Sequence, residues 1–338
     1  MILVLNCGSQ SFKWKLFSND LVLEESGKAE VLDAENYNKI LKEKLEKLVG
    51  QNISLIGHRV VHGGNVFVKP LRITNENIKD LEKINHLAPL HNPYNIMGIK
   101  ICQKIFSLAA NIAVFDTEFF QNLPEYASVY ALPEEISRKF GFKRFGFHGT
   151  SHEYVSSVAT KIMAEKRKPA KKIITVHLGG GASVTAIKNG KAIDVSMGFT
   201  PIEGVVMMTR PGNIDAGIVL NLVREFSPEK ASEILNKQSG LKGICGESDM
   251  LKILERMKMG DRKAKLAFDI FVYSIKKYIG AYFAVLGGCD ALVFTGAIGA
   301  GNPKTRNSIC RGLDILKNTK ILAIHTDEEL AIAQKIIK

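Results

Sequence analysis

The chain has 338 residues, 46% of them hydrophobic and 24% charged, which excludes a small disulfide-stapled domain and a mainly disordered protein. The formal charge is +12, but the lysines are spread along the chain without clustered aromatics, so we expect no nucleic-acid partner. Five scattered cysteines form no C-x-x-C pair and the first residues lack a basic stretch, so we expect a cytoplasmic protein without a signal peptide.

The first half of the chain alternates short apolar runs with helical patterns, and this alternation predicts an α/β fold. Strands are predicted at residues 2–5, 11–17, 21–23, 53–57 and 111–115. Helices are predicted at residues 35–49, 75–86 and 92–108.

The second half repeats this alternation from Lys172, with Asn189-Gly190 as a hairpin turn. Strands are predicted at residues 173–177, 182–188, 191–195, 291–295 and 320–324. Helices are predicted at residues 214–225, 228–236, 247–258, 262–286, 304–315 and from 327 onwards. The apolar segment 279–301 is long enough to span a bilayer, but Gly287-Gly288-Cys289-Asp290 interrupts it with a turn signal, so we expect no membrane partner.

An internal repeat is the main clue to function. Residues 1–17 and 172–188 each read as a strand, a turn rich in Gly and Ser, and a second strand, which indicates a duplicated domain. Gly-rich hairpin turns are common, but two at matching places favour a nucleotide whose phosphates are bound by backbone N–H groups. The sequence contains neither a P-loop nor a protein-kinase motif set.

Two charged residues follow or flank predicted strands. Arg59 lies between His58 and His62, and glycines flank this segment on both sides. It could therefore bind a carboxylate or phosphate through two hydrogen bonds, or it could form an ordinary surface ion pair. Asp116 ends an apolar strand, where α/β sheets bind ligands, although an N-cap is the alternative.

A glycine-rich segment contains His148 and His152. Their spacing allows a metal pair, but Thr150 and Glu153 have the pattern of a capping box, so the helix would start between the two histidines. We interpret His148 as a donor to an anion and His152 as structural.

Two further segments carry charged candidates. Arg210 is framed by turn residues, and Asp327-Glu328-Glu329 begins the last predicted helix. These acids favour either a stabilised first helical turn or a magnesium site.

Taken together, eleven segments resemble the acetokinase family of the sugar-kinase, actin and heat-shock-chaperone ATPase superfamily. They occur in family order over nearly the whole chain: LNCGSQSFK, GHRVVHGG, LAPLHNPYN, VFDTEFFQNLP, FGFHGTSH, HLGGGASVTAIKNGK, SMGFTPIEG, TRPGNID, SGLKGICGESDM, IKKYIGAYFAVLGGCDALVFTGAIG and TDEELAIA.

The resemblance implies two ribonuclease-H-like, actin-like ATPase domains around a central cleft, formed by residues 1–119 with 329–338 and by residues 120–328. It implies reversible transfer of the ATP γ-phosphoryl to acetate, giving acetyl phosphate and ADP with Mg²⁺ or Mn²⁺, and a homodimer formed through the C-terminal domain. A kinase for propionate or another short acid, and a nucleotide-binding paralogue without turnover, remain alternatives.

The resemblance also implies roles for individual residues. The catalytic set is Arg59, Asp116, His148 and Arg210. The residues around the acetate are Arg59, Val61, Leu90, Phe147 and Pro201. The metal ligands are Asn6 and Glu328. The residues near the nucleotide are Ser9, Ser11, Lys13, His177, Leu178, Gly179, Gly180, Gly181, Asp249, Met250, Leu251, Gly296, Ala297, Ile298, Gly299 and Ala300.

The chain departs from the family pattern mainly around the nucleotide. Gly180 replaces a common Asn, Leu251 replaces an expected Arg, and Ala300-Gly301 replaces Glu-Asn. Pro211 and Asn213 alter the loop that carries Arg210. These changes put the phosphoryl donor in question more than the transfer reaction.

Overall fold

The computed structural model describes residues 1–8, 11–31 and 36–337, which divide into two compact units. The first unit contains residues 1–121, 147–151 and the segment from Asp327, and the second contains residues 122–146 and 152–326. The helices are α1 (Tyr37–Glu46), α2 (Asn77–Lys83), α3 (Asn92–Ile105), α4 (Glu125–Ser128), α5 (Glu134–Phe140), α6 (Gly149–Glu165), α7 (Ala216–Glu225), α8 (Pro228–Glu233), α9 (Gly240–Cys245), α10 (Met250–Lys258), α11 (Arg262–Leu286), α12 (Gly296–Gly299), α13 (Pro303–Cys310) and α14 (Glu328–Ile336).

The first unit is built on a six-stranded sheet. Its strands are β1 (Ile2–Cys7), β2 (Ser11–Phe17), β3 (Leu23–Glu30), β4 (Leu55–Val60), β5 (Leu71–Arg72) and β6 (Ala110–Phe115), in the order β3-β2-β1-β4-β6-β5. β1, β2 and β3 pair antiparallel, whereas β1, β4 and β6 are parallel. The carboxyl ends of β1, β4 and β6 therefore lie at one edge of the sheet, where α/β proteins place ligand-binding residues.

Helices cover both faces of this sheet because residues along β1 alternate between them. Leu3 and Leu5 belong to a core with α1 and α3 on one face. Ile2 and Val4 pack against α14 on the other face. The last helix of the chain is thus fixed to the same strands whose ends carry Asn6 and Arg59.

The second unit repeats this plan with five strands. They are β7 (Lys172–Leu178), β8 (Ala182–Lys188), β9 (Lys191–Val195), β10 (Ala291–Thr295) and β11 (Lys320–Ala323), in the order β11-β10-β7-β8-β9. β7, β8 and β9 pair antiparallel, and β10 and β11 run parallel to β7, so each strand has a counterpart in the first sheet. The predicted α/β fold with a repeated unit is confirmed.

Two local predictions in this unit are also confirmed. Asn189 and Gly190 have φ angles of 52° and 77°, the left-handed conformation that a tight hairpin turn of this type requires. α11 packs on β7 and β8, and its buried face contains the predicted apolar residues Phe268, Phe271, Ile275, Ile279, Tyr282 and Leu286.

Several element boundaries were predicted wrongly. The strand placed at 21–23 begins only at Leu23 and runs to Glu30, because β3 pairs along β2 although its own sequence is polar. The strand placed at 53–57 ends at Val60 instead, which brings Arg59 into β4. The helix placed at 304–315 stops at Cys310, since Arg311 has ψ 125° and Gly312 has φ 73°.

The apolar segment 279–301 is divided between the end of α11 and the buried strand β10. Among the residues that the structure describes, no helix has the length and apolar character needed to cross a membrane.

Gly57 controls how closely α14 approaches β4. A Cβ atom at this position would lie 2.6 Å from Cγ2 of Ile332 and 2.9 Å from Cδ1 of Ile336, whereas a Cβ on Gly280 in α11 would meet nothing within 4 Å. We predict that Gly57→Ala lowers the free energy of unfolding by about 1–3 kcal/mol through overpacking. Gly280→Ala should raise it by about 0.5–1 kcal/mol, because glycine disfavours a helix interior. Urea unfolding measures the free energy of unfolding of both variants. Equal changes in the two variants would contradict the close packing of α14 on Gly57.

Candidate active site

Three side chains of the first unit meet at the carboxyl edge of its sheet. Asn6 lies on β1, Arg59 on β4, and Asp116 directly after β6. Leu5 pairs with His58, and Arg59 pairs with Val114, so these positions are neighbours across three adjacent parallel strands. The strand order therefore brings together residues that are far apart in the sequence.

Arg59 and Asp116 form a two-pronged ion pair. The Nη2 atom of Arg59 lies 2.6 Å from Oδ2 of Asp116, and its Nε donates to both carboxylate oxygens at 3.1 Å. The two side chains are only 17% and 2% exposed. Burial by itself would lower the pKa of Arg59, but the carboxylates of Asp116 and Glu328 outweigh it and raise the pKa, so the guanidinium stays charged. Asp116 therefore pairs with Arg59 and does not cap a helix.

Acidic residues at the start of α14 extend this ion pair. Arg59 Nη1 lies 3.5 Å from Oε2 of Glu328 and donates to Oδ1 of Asn6 at 3.3 Å. Burial raises the pKa of Glu328; Arg59 opposes this shift, and the carboxylates of Asp116 and Glu329 add to it. The site thus contains three carboxylates, those of Asp116, Glu328 and Glu329, and the single positive charge of Arg59 does not neutralise all of them.

This arrangement suits a hard cation. Magnesium prefers oxygen ligands, keeps several waters and is usually shared between one or two protein groups and phosphates. Glu328 and the amide oxygen of Asn6 offer such ligands beside Asp116. Within the described residues, no group of three or more His, Cys, Asp and Glu side chains could hold a metal. A metal bound here would therefore need phosphate oxygens or waters as further ligands.

His148 lies in a turn that is fastened to Asp116. The backbone N–H of Gly149 donates to the Asp116 carbonyl at 3.0 Å, and Thr150 Oγ1 donates to Asp116 Oδ1 at 3.4 Å. A Cβ on Gly149 would lie 2.1 Å from that carbonyl oxygen, so only glycine allows this approach. His148 itself has φ 60°, a left-handed conformation uncommon for histidine and often found at functional sites.

The predicted capping box at Thr150 is wrong. α6 already begins at Gly149, so Thr150 lies inside the helix and its hydroxyl contacts Asp116 instead. The helix does start between the two histidines, as predicted. His152 is fully buried, and its ring nitrogens bond the hydroxyls of Thr175 and Ser183 at 2.6 and 2.7 Å.

The remaining candidates of the first unit lie on other segments of that unit. The ring of Phe147 lies 5.4 Å from that of His62 and is buried, whereas Leu90 is 38% exposed. Val61 donates its backbone N–H to Asn95 at the end of β4. Ser11 and Lys13 lie on β2, and Ser9 lies outside the described residues.

Arg210 belongs to the second unit and differs from Arg59 in its partners. Its Nη1 donates to the carbonyl of Pro201 at 2.7 Å, and among the described residues no carboxylate pairs with it. Burial lowers the pKa of Arg210 to about 10. A half-buried cation whose partner is a neutral carbonyl is suited to binding an anion.

Two glycine turns lie side by side at the carboxyl edge of the second sheet. Gly179–Gly181 follows β7 and Gly296 follows β10, and His177 pairs with Thr295 between these strands. Gly296 has φ 77°, and a Cβ there would lie 2.4 Å from the Leu178 carbonyl, so close backbone approach requires glycine. Ala297, Ile298 and Gly299 form α12 with it, and Ala300 follows. At Gly180 an added Cβ meets nothing within 4 Å.

Asp249 and Leu251 lie apart from these turns in the sequence. The carboxylate of Asp249 caps α10 by accepting from the backbone N–H of Leu251 at 2.8 Å, and Met250 is buried. Leu251, where an arginine was expected, is 63% exposed.

One residue of the site, Lys15, was missed by the sequence reasoning, and it pairs with Asp327 at 2.7 Å. Glu329, in the acidic segment already singled out, is buried and accepts from Nδ2 of Asn6 at 3.5 Å. Asp327 also caps α14 by accepting from the N–H of Leu330. The alternation along β2, with Lys13 and Lys15 on one face, was the available signal.

Comparisons with known proteins give matches over nearly the whole chain. A model of the acetokinase family matches residues 21–333. An acetate kinase from Alkaliphilus metalliredigens is 42% identical over an alignment of 390 positions, which covers 99% of this chain and 98% of that relative. The crystal structure of Porphyromonas gingivalis acetate kinase superposes with a TM-score of 0.89 at 36% identity, covering 98% of each chain. A propionate kinase from Francisella tularensis gives 0.91 at 38% identity, covering 99% of this chain and 98% of that one.

We predict that Arg210 binds inorganic phosphate. Because hydrogen bonds to charged groups contribute about 1.5–3 kcal/mol, Arg210→Ala should weaken the binding of phosphate by roughly 10- to 100-fold. Arg262→Ala, which removes an exposed arginine at the start of α11, is the matched control and should bind like the unaltered chain. Isothermal titration with phosphate measures both variants. Equal affinities would show that Arg210 is not an anion site.

Proposed function

The chain belongs to the acetokinase family, and from that premise we propose that it transfers the γ-phosphoryl of ATP reversibly to acetate. The products are acetyl phosphate and ADP. The observation that carries the proposal is the contrast between the two arginines. Arg59 is paired with carboxylates, whereas Arg210 bonds a neutral carbonyl, so its positive charge is available to bind an anion.

Phosphoryl transfer needs in-line positioning and cations placed where negative charge gathers, with little covalent work by the protein. Acetate is already ionised at neutral pH, so the acceptor needs no general base. The Asp116 carboxylate supports this, because both its oxygens already accept from Arg59. We assign Asp116 the role of holding Arg59 and completing the charge of the metal site, not of removing a proton.

Arg210 is proposed to hold substrate oxygens, and His148 to donate to the phosphoryl group as charge develops on it. Arg59 would contribute positive charge from a fixed position. The support is geometric: the turn of His148 is bonded to Asp116, which is itself bonded to Arg59. Preorganised donors of this kind accelerate transfer by about 10²- to 10³-fold each.

A magnesium or manganese ion is proposed to bind through Asn6 and Glu328, with Ser9, Ser11 and Lys13 near the phosphates. Such an ion would neutralise phosphate charge during transfer. Glu328 supports this role because its pKa is raised by burial and by neighbouring carboxylates, an environment that a bound cation relieves. Asn6 keeps its amide oriented by bonds to Arg59 and Glu329.

The acetate methyl is proposed to contact Val61, Leu90, Phe147 and Pro201, four apolar residues. One methylene against apolar side chains is worth about 1–3 kcal/mol of discrimination, so propionate is the main competing substrate. The likeness to a propionate kinase keeps that alternative open.

The nucleotide is proposed to bind at the two glycine turns of the second unit, with the residues named above. Their adjacent positions on β7 and β10 support this assignment. Gly180 offers no side-chain amide to the phosphates, and Leu251 offers no cation, so we expect the donor to be held mainly by backbone groups.

A homodimer formed through the second unit is proposed from α7. No residue of this helix is buried, and its apolar side chains Ile218, Leu220 and Val223 are 49%, 66% and 40% exposed. Apolar side chains this exposed on a helix with no buried residue are typical of a protein interface. Light scattering on the full chain should give a mass near twice 37.3 kDa, and Leu220→Asp should give the monomer mass. A monomer in the unaltered chain would contradict the proposal.

The reaction is tested by trapping acyl phosphates as hydroxamates. The chain is incubated with acetate, propionate or butyrate and with ATP, GTP or pyrophosphate, and Arg210→Ala serves as the inactive control. We expect acetate with ATP to give the highest kcat/KM. A preference for propionate would select the alternative acid kinase, and nucleotide binding without any hydroxamate would select the paralogue without turnover.

A further inference from the structure

A partly buried polar cluster in the second unit lies outside the residues so far assigned to the reaction. Arg144 Nη2 donates to Oε1 of Glu203 at 2.7 Å, and Tyr130 donates its hydroxyl to the other carboxylate oxygen, Oε2. The same hydroxyl accepts the backbone N–H of Phe199 at 2.8 Å. Burial, reinforced by the bond to Glu203, raises the pKa of Tyr130, so this residue remains a protonated donor.

The cluster encloses one loop, residues 196–204. Nη1 of Arg144 donates to the carbonyls of Val195 and Met197 at 3.1 and 3.3 Å, where the loop begins. Glu203 lies near its other end, so the carboxylate joins both ends of the loop through Arg144. A Cβ on Gly198 would lie 1.7 Å from Oε2 of Glu203 and 2.1 Å from the Tyr130 hydroxyl. The loop thus wraps closely around a carboxylate, and glycine is required for that approach.

Loop 196–204 is hydrogen-bonded to the loop that contains Arg210 and Asn213. Asn213 accepts from the N–H of Gly204 through Oδ1 at 2.9 Å and donates its own N–H to the Gly204 carbonyl at 2.9 Å. Pro201, in the middle of the enclosed loop, accepts from Arg210 Nη1 at 2.7 Å. Asn213, a departure from the family pattern, is therefore one of the residues that join these loops.

From this chain of contacts we propose that Tyr130, Arg144 and Glu203 are positioning residues that fix the guanidinium of Arg210 through loop 196–204. The inference rests on the proposed function, since it assigns these residues to the same substrate site. None of the three is proposed to touch substrate. Their effect is on the position of the Pro201 carbonyl and, through it, on the direction of the remaining N–H donors of Arg210.

Loss of the Tyr130–Arg144–Glu203 cluster should affect phosphoryl transfer more than nucleotide binding. The cluster contacts loop 196–204, whose Pro201 carbonyl bonds Arg210, while the glycine turns proposed for the nucleotide follow β7 and β10. A displacement of about 1 Å at a positioning group costs roughly 100-fold in rate. Loss of the cluster should therefore lower kcat and weaken binding of acetate and phosphate, while leaving KM for ATP unchanged.

The test compares Tyr130→Phe with Tyr126→Phe in the full-length chain. Tyr130→Phe removes one hydroxyl shared by Glu203 and Phe199, whereas Tyr126 is 86% exposed and its variant is the matched control. We expect Tyr130→Phe to lower kcat with acetate by roughly 10- to 100-fold and to change the acetate-to-propionate ratio, with KM for ATP altered less than about 2-fold. Kinetics like those of Tyr126→Phe, or an equal loss for ATP, would overturn the proposal.

A second pair of variants separates positioning from folding. Glu203→Gln keeps an oxygen acceptor for Arg144 and should retain more activity than Glu203→Ala, at matched thermal midpoints. Equal activity in this pair would contradict the positioning role. Binding of inorganic phosphate gives a readout independent of turnover, and Tyr130→Phe should weaken it by roughly 10-fold. If the unaltered chain shows no acetate turnover, the proposed function fails, but weakened phosphate binding in Tyr130→Phe would still support the positioning role.

Discussion

The ion pair between Arg59 and Asp116 is the interaction on which the first unit's site depends. Both groups lie at the carboxyl edge of the sheet and are almost removed from water, so each would be costly without the other. The pair exists because β4 and β6 are adjacent and parallel, which places position 59 next to the residue that follows β6. Asn6, Glu328 and the turn of His148 all bond to one member of this pair, so its geometry sets theirs.

Arg59 and Arg210 differ in the groups that surround their positive charge. Arg59 is neutralised by carboxylates and keeps its charge as part of the scaffold, whereas Arg210 bonds a neutral carbonyl and has its pKa lowered by burial. In the proposed reaction, a substrate anion would therefore gain more from Arg210 than from Arg59. The proposed positioning of Arg210 through the Pro201 carbonyl fits this difference, since a direct acidic partner would compete with the substrate.

Much of the fold could be predicted from the sequence because its signals are local. The 3.6-residue pattern of α11 lies within one segment, and so does each of the strand–turn–strand patterns at residues 1–17 and 172–188 that predicted the repeated unit. Asp116 and Arg59 were identified as site residues from strand ends and flanking glycines, but their mutual ion pair was not, since it depends on strand order. β3 was misplaced because a polar edge strand is defined by its partner. The contacts of Glu203 with Tyr130 and of Glu329 with Asn6 span 73 and 323 positions, and no local pattern marks them.

A double-mutant cycle on the unfolding free energy, with Arg59→Gln, Asp116→Asn and the combined variant, tests the central claim most directly. If the buried pair organises the site, each single change leaves an unpaired buried charge and costs about 3–5 kcal/mol. The combined variant should then be more stable than the sum of the single effects by at least about 1 kcal/mol. Strictly additive losses would show that the two groups do not depend on each other, and would contradict the account.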